Sequence, residues 1–361
     1  MLDTRKSSRW LCLLLAVLLL WRLIGAPLSA DQWQATQTAL WQARIQLPVR
    51  LARVALGWAM LSTSAGAETQ PDPIAGQAQN DVTLRVFDAE NGALLEMPLE
   101  EYVCRVVSAE VPASYHVEAL KAQAVAARTR AVRQMDAGCS LCEGADICTD
   151  SAHCQAFADE DDMARMWGES AAVYRARVAD AVGRTAGEIL TFGGAPITVL
   201  YHAISGGRTE DVRAVFGESL PYLVSVGSEG EDGAHGFYTD ASFTLAEAAD
   251  KLYAAFPGSG LTAENIAQRL TIRDHTESGR VGTLLIGDRE IKATELRRAL
   301  GLRSTWFTLS IDGDSLTFHQ RGYGHGVGMS QTGANAMAAD GADYRAILTH
   351  YYQGTELADI F

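Results

Sequence analysis

Pro112 is the residue that most constrains this chain. It interrupts a stretch, Leu99 to Met135, that otherwise carries helical signals from end to end. Leu99, Val103, Val106 and Val107 recur on one helical face after Pro98. A residue that precedes proline is pushed out of the α region, so Val111 cannot continue this helix, which must stop near Glu110. A second helix is expected from about Val117 to Met135. Its apolar positions are mostly alanine: Ala119, Ala122, Ala124, Ala126, Ala127 and Ala131. Such a helix has high intrinsic propensity, and its small side chains let neighbours approach closely. The chain is therefore predicted to turn sharply, between two helices, directly after a carboxylate.

A carboxylate in the last turn of a helix faces the negative end of the macrodipole, which disfavours its ionised form. Partial burial acts in the same direction. Together they move Glu110 toward the range in which a carboxylic acid donates a proton near neutral pH. The competing reading is a solvated surface group, the common state of a glutamate at a helix end. Lys121 and Gln123 lie two residues apart on the second helix and so do not share a face. A lysine there commonly covers apolar surface with its stem.

Cysteine usage is uneven. Cys12 sits in an apolar N-terminal run and Cys104 in the first helix, whereas Cys139, Cys142, Cys148 and Cys154 fall within sixteen residues. Cys142, Cys148, His153 and Cys154 supply three thiols and one imidazole, a set that suits tetrahedral zinc. Cys139 is a spare or alternative ligand, because Cys139-x-x-Cys142 is also a zinc-type pair. Disulfide pairing and free thiols are the competing readings; export would permit the former, and some of these short spacings would strain it.

Two glycine-rich segments stand out, HAISGGRTE at residues 202–210 and GYGHGVGMSQTGA at residues 322–334. In the second, Gly322, Gly324, Gly326 and Gly328 alternate. In an extended chain this removes Cβ from one side and admits another backbone or a ligand. No Gly-Lys-Ser/Thr follows, so the segment is not a P-loop. His325 is a candidate to bind substrate or support Glu110; the alternative is a packed histidine in a tight turn before a helix starting near Ser330. Ser205 lacks the G-x-S-x-G elbow of a serine hydrolase.

The N-terminus reads as an export signal or membrane anchor. Arg5, Lys6 and Arg9 precede WLCLLLAVLLLW at residues 10–21. A second candidate follows: Arg50 and Arg53 precede VALGWAMLSTS, and Ala65-Gly66-Ala67 has the small-x-small pattern of a signal-peptidase site. Leu47 to Leu61 can alternatively be an amphipathic helix lying on a membrane or a partner. Every one of these readings puts the remainder of the chain outside the cytoplasm. Residues 68–80 are polar, contain two prolines and read as a linker. The expected organisation is residues 1–30 as signal or anchor, 31–80 as apolar segment and linker, and 81–361 as one large folded domain. A net charge of −14 argues against nucleic acid as partner.

Along 81–361 the expected elements are strand 82–87 and ALLEM paired as a hairpin across Asn91-Gly92, the two helices above, and a helix over about 161–182. Strands EILTF and PITVLYHAI and a short strand YLVSV follow. Helices at 243–256 (with a Thr244/Glu247 capping box), 261–270 and 292–300 are expected, with a strand at 283–286, a hairpin made by WFTLSI and SLTFHQ, and a final helix through His350. Hairpins mixed with helices predict an α+β fold.

LEEYVCRVVSAEVPASYHVEALKAQAVAARTRA, HAISGGRTEDV, LGLRSTWFTL and GYGHGVGMSQTGANAMA, in that order, resemble the stage II sporulation protein D family, which is related to amidase-enhancer domains. The resemblance spans roughly residues 81 to 361. It implies a membrane-anchored lytic transglycosylase, active in sporulation and engulfment, that cleaves peptidoglycan glycan strands already stripped of stem peptides. Glu110, in the A-E-V-P segment, matches the catalytic glutamate. Lys121, Gln123, His202, Ser205, His325 and Gln331 fall in the shared motifs and are the expected substrate contacts. Some members carry a structural zinc loop of pattern His-x5-Cys-x4-His-Cys, which falls here on Cys142, Cys148, His153 and Cys154, with Cys142 replacing the first histidine. Implied partners are glycan strands, an amidase of the sporulation protein P type and other membrane-complex proteins. The implied location is the cell membrane or the space between the sporangium's membranes, or outside the cell if the N-terminal segment is cleaved. The alternative implied by the same resemblance is a non-catalytic wall-binding protein that stimulates an amidase.

Overall fold

A computed structural model describes residues 82–361. The apolar N-terminal runs and the linker, on which the export and anchor readings rest, lie outside the described residues. Among the described residues no helix is long and apolar enough to cross a membrane.

The first hairpin forms as expected. β1 (Thr83–Asp88) pairs antiparallel with β2 (Ala93–Pro98), with Leu84 opposite Met97. Asp88 caps the turn by accepting from the Glu90 and Asn91 backbone N–H groups, and Gly92 takes a φ of 68°. Pro98 opens α1 (Leu99–Glu110), which ends at Glu110 with Val111 in extended conformation, as Pro112 requires. α2 (Val117–Ala137) follows, capped by the His116 side chain. Its alanines face other elements on nearly every side: α2 touches α1, α4 (Ala171–Gly183), β4 (Glu188–Phe192), α9 (Gln331–Ala339) and α10 (Tyr344–Tyr351). Small side chains permit this many close neighbours around one axis.

One polar tie crosses this crowded centre. Arg128 on α2 is fully buried and forks onto Glu100 of α1 at 2.7 and 2.5 Å. It also donates to the carbonyls of Glu188 and Val182. Glu100 in turn accepts from Gly187 N–H. The pair fixes α1 against α2, and so fixes the direction in which α1 delivers Glu110.

After α2, β3 (Ile147–Cys148) adds to the first sheet parallel to β1, with Phe87 opposite Cys148. The helix expected over 161–182 is two helices, α3 (Glu160–Trp167) and α4, separated at Gly168 (φ 50°). Of the expected strand PITVLYHAI, the section after Pro196 pairs only at β5 (Tyr201–His202) and at a single antiparallel bridge between Ile204 and Tyr323. Side chains take backbone groups that a longer ladder would use: the Thr198 N–H bonds Tyr222 Oη, and the Leu200 carbonyl accepts from Tyr352 Oη in addition to the Met329 N–H of the strand facing β5. YLVSV is likewise no strand, since Leu223 and Val226 bond the short helix α5 (Val212–Phe216) and Thr209.

Residues 238–321 build a second hydrophobic core. β6 (Tyr238–Thr244) runs into α6 (Leu245–Ala255) through the expected Thr244/Glu247 capping box. α7 (Ile266–Arg269) is shorter than the helix expected at 261–270, because the chain passes directly into β7 (Leu270–Ile272). β8 (Thr283–Ile286) and β9 (Arg289–Lys292) complete one sheet, and α8 (Ala293–Leu300) stops at Gly301 in the left-handed region. β10 (Phe307–Asp312) and β11 (Ser315–Arg321) form the expected hairpin, which β6 extends. Leu252, Leu284, Leu296, Phe307 and Phe318 fill this core. The first core, around α2, gathers Val125, Leu190, Leu223, Met329, Ile347 and Tyr351. β12 (Met329–Ser330) pairs parallel with β5, and β13 (Glu356–Asp359) closes antiparallel on β4. The mixture of helices with short, mostly antiparallel sheets agrees with the expected α+β class.

Removing Arg128 leaves the Glu100 carboxylate without its partner among packed helices. Arg128→Met is expected to lower unfolding free energy by about 3–5 kcal/mol, read as the midpoint shift in urea. A loss below about 1 kcal/mol, the range of an exposed pair, would show that Glu100 finds water instead.

Candidate active site

Glu110 opens onto a cleft of about 1070 Å³ whose walls include Arg130, Tyr201, Phe216, Arg297, Arg303 and His325. Its carboxylate is held at three points. Ala156 N–H donates to Oε1 at 2.8 Å, Tyr201 Oη donates to the same oxygen at 3.3 Å, and Gln331 Nε2 donates to Oε2 at 3.3 Å. Tyr201 also donates to Gln155 Oε1 at 2.8 Å, and Gln155 Nε2 donates to Tyr102 Oη. Burial pushes the Glu110 carboxyl above its ordinary range; the three donors and the positive Arg130 pull back only in part. No basic residue stands in the last turn of α1 to offset the helix dipole. A half-buried carboxyl with a raised pKa, hydrogen-bonded at both oxygens yet facing a cleft, is suited to give and retake one proton.

Glu231, which the sequence did not single out, assembles the opposite wall. One of its oxygens accepts from Ser205 Oγ, Gly206 N–H and Gly207 N–H at 2.7, 2.9 and 3.2 Å. The other accepts from Ser228 Oγ at 2.8 Å and from Ser330 Oγ. This buried carboxylate joins the two glycine-rich segments and leaves Gln331 poised on Glu110. The alternating glycines permit the join, although not in the extended conformation expected: Gly322, Gly324, Gly326 and Gly328 all have φ between 72° and 116°. A Cβ on Gly328 would lie 2.0 Å from the Leu200 carbonyl oxygen, and one on Gly324 would lie 2.7 Å from His202 Cβ.

The expected substrate contacts divide accordingly. His325 lines the cleft, and Gln331 bonds Glu110. His325 Nδ1 accepts from Val327 N–H, and burial beside Arg297 pushes its pKa down to about 4, so the ring is neutral at pH 7 with its proton on Nε2. His202 lies behind it, buried, its ring 5.6 Å from that of His325 and Nδ1–H on the Val327 carbonyl; burial holds its pKa well below the usual range. Ser205 serves the Glu231 cluster. Lys121 pairs with Glu118 at 2.7 Å and lies over the Tyr344 ring, and Gln123 is fully enclosed; neither contributes to the cleft wall. Tyr201, Gln155 and Ala156 are the site residues that sequence reasoning missed. Only the position of Tyr201 beside His202 hinted at one of them.

The cysteine loop forms a compact donor cluster, and one assignment changes. Cys139, Cys148, His153 and Cys154 place their ligand atoms within 4.8 Å of one another. His153 Nδ1 lies 3.9, 3.4 and 3.2 Å from the three sulfurs in that order. Zinc–sulfur bonds of about 2.3 Å separate tetrahedral ligands by roughly 3.3–3.8 Å, so three thiols and one imidazole at these spacings fit the ion. Cys142 is not in the cluster; it is partly exposed, with Sγ toward the Glu143 carbonyl. The turn explains the exchange. Cys139 N–H bonds the Ala145 carbonyl and Ala145 N–H bonds the Cys142 carbonyl, which sets Cys142 on the outside of the loop. His153 and Cys154 also form part of the cleft wall, three and two residues before the Ala156 N–H that holds Glu110.

The raised pKa of Glu110 has a sign that can be measured. Native protein keeps this proton at pH values where the unfolded chain has lost it, so the group's contribution to stability is complete below the ordinary carboxylate pKa and is lost as pH rises through the folded one. Glu110→Gln, which never ionises, is therefore expected to have a higher Tm than wild type at pH 8, with the difference vanishing by pH 4. A difference that grows on acidification would mean the folded pKa is depressed.

The chain is similar to known proteins along most of its length. The family model described as Stage II sporulation protein (SpoIID) matches residues 88–192, which carry Glu110 and the cysteine loop. Stage II sporulation protein D of Bacillus subtilis (strain 168) is 35% identical over 297 residues, covering 82% of each chain. Its counterpart in Bacillus amyloliquefaciens is 34% identical over 78% of this chain and 80% of the relative. A Bacillus subtilis protein named Amidase enhancer is 27% identical over 70% of this chain and 39% of its own. With Glu110 at its helix end, the glycine segments joined opposite it and these identities along most of its length, the chain belongs to the stage II sporulation protein D family.

Proposed function

We propose that this protein is a lytic transglycosylase that cleaves stripped peptidoglycan strands at N-acetylmuramic acid and leaves 1,6-anhydro ends. The observation that carries this reading is the state of Glu110: a single carboxyl, raised by burial, aimed into a large cleft by three donors on separate segments. In the first step the Glu110 carboxylic acid gives its proton to the glycosidic oxygen as the bond to the anomeric carbon breaks. In the second, the Glu110 carboxylate takes the proton of the sugar's own 6-hydroxyl as that oxygen bonds the anomeric carbon. The proton count closes and Glu110 returns to its acid form, without water and without a second carboxylate, unlike two-acid hydrolysis. The intramolecular nucleophile supplies the proximity advantage. Tyr201 and Gln331 keep both oxygens oriented through the exchange.

Zinc is the metal that Cys139, Cys148, His153 and Cys154 would hold. Bound there it would brace the loop carrying the Ala156 N–H and take no part in proton transfer. The same reading places the domain outside the cytoplasm, tethered or exported by the N-terminal segment, beside an amidase that strips the strands. A relative named Amidase enhancer favours a second reading, stimulation of a partner amidase without cleavage.

Incubated with stripped glycan strands, wild type is expected to yield anhydro-muramyl ends by mass spectrometry, and Glu110→Gln to do so about 10²–10⁴-fold more slowly. Wild type that releases none, yet accelerates an amidase on intact wall, would replace the first reading with the second. Protein purified without chelator is expected to carry about one equivalent of zinc, lost in Cys139→Ser and kept in Cys142→Ser. The reverse pattern would restore Cys142 as the ligand.

A further inference from the structure

The cleft collects positive charge that the chain does not neutralise. Arg130, Arg297, Arg298 and Arg303 all line it, in a protein of net charge −14. Among the described residues none of the four has a carboxylate ion-pair partner, while Arg85, Arg105, Arg128 and Arg345 elsewhere each have one. Arg130 spends its guanidinium on the carbonyls of Val199 and His153. The other three come from the second core, and backbone bonds hold Arg297 and Arg303 in place. Gly301 (φ 68°) turns the chain back after α8, Leu302 N–H bonds the Arg297 carbonyl, and Arg297 Nε donates to the Arg303 carbonyl. Gly324 N–H bonds that same carbonyl, and the Arg303 guanidinium lies 4.8 Å from the centre of the Tyr323 ring. Cations near a helix C-terminus complement its dipole, which accounts in part for Arg297 and Arg298. It does not account for Arg303, nor for the convergence of all three on the cleft. Burial lowers the pKa of Arg297, as expected of a guanidinium lacking an anion.

Within the transglycosylase reading, on which this inference rests, we propose that Arg297, Arg298 and Arg303 bind the lactyl carboxylate of N-acetylmuramic acid and thereby select strands from which the stem peptide has been removed. In a peptide-bearing strand that carbon is a neutral amide followed by bulk. Hydrolysis of the amide exposes an anion, which a planar guanidinium fork can take in two charge-assisted hydrogen bonds. The reaction supplying this substrate is therefore an amide hydrolysis at the lactyl group, and the arginines make cleavage wait for it.

The test measures binding in full-length Glu110→Gln protein, so that strands stay intact during titration. The ligands are stripped glycan, the same glycan with its lactyl carboxylates converted to primary amides, and poly(glycerol phosphate) as a different wall anion. Charged hydrogen bonds of about 1.5–3 kcal/mol correspond to roughly tenfold or more in affinity. The acid form is expected to bind at least about tenfold more tightly than the amide form. Adding Arg298→Gln and Arg303→Gln, both exposed and on the surface of the second core, leaves Arg297 alone of the three and is expected to cut the acid preference by about threefold or more with the melting temperature preserved, and Arg298→Lys with Arg303→Lys to restore part of the difference. Equal binding of acid and amide by the parent protein would overturn the proposal. So would an unchanged acid preference in the double glutamine variant, or displacement of glycan by poly(glycerol phosphate) as effective as by free stripped glycan. Because the readout is binding, absence of anhydro ends would sink the cleavage reading while leaving this result standing, and the converse also holds.

Discussion

The buried carboxylate of Glu231 is the interaction on which the site depends. Five donors from residues 205, 206, 207, 228 and 330 converge on it. Without such an acceptor, two glycine-rich segments would have to bury backbone and hydroxyl donors unpaired, each at a cost of about 1–3 kcal/mol. With it, β5 and β12 lie side by side, with Tyr201 opposite Met329 and His202 opposite Ser330. Tyr201 and Gln331, at the cleft ends of those two pairings, then reach the same carboxyl group.

Glu110 arrives at that meeting point from the other direction. Its height along α1 is set by Pro112, and the placing of α1 by Arg128 and Glu100 at the crowded centre of α2. Its third contact comes from the cysteine loop through Ala156. Three independent pieces of chain therefore restrain one side chain, which fixes the carboxyl group despite its opening to solvent. The low pKa of His325 and His202 leaves them neutral, so within this group Glu110 is the carboxyl whose proton burial helps to retain; the nearby arginines supply fixed positive charge.

The elements legible in the sequence were those set by local chemistry. The Asn91-Gly92 hairpin, the stop before Pro112, the Thr244/Glu247 box and the Gly301 cap each depend on a few adjacent residues, and each formed. The failures share a different cause. PITVLYHAI has a strand's composition, yet Tyr222, Met329 and Tyr352 claim its backbone groups from far along the chain. Spacing assigned Cys142 to the donor cluster, but a turn closed between residues 139 and 145 presents Cys139 instead. Lys121 and Gln123 sit in a shared motif, but on faces of α2 that meet Glu118 and the helix packing rather than the cleft.

By itself the sequence determined that a helix must end at Glu110, that donors suited to a metal crowd the next loop, and that the alternating glycines leave room for another backbone or a ligand. These follow from proline sterics, ligand chemistry and the absence of Cβ, all properties of residues and their neighbours. Only the tertiary structure decided what Glu110 faces. Ala156, Tyr201 and Gln331 lie 46, 91 and 221 residues away, and Arg297, Arg298 and Arg303 belong to a separate core. Burial, which raises the Glu110 pKa, is a property of that assembly, because desolvation depends on every segment that excludes water from the carboxyl group and on none of them alone.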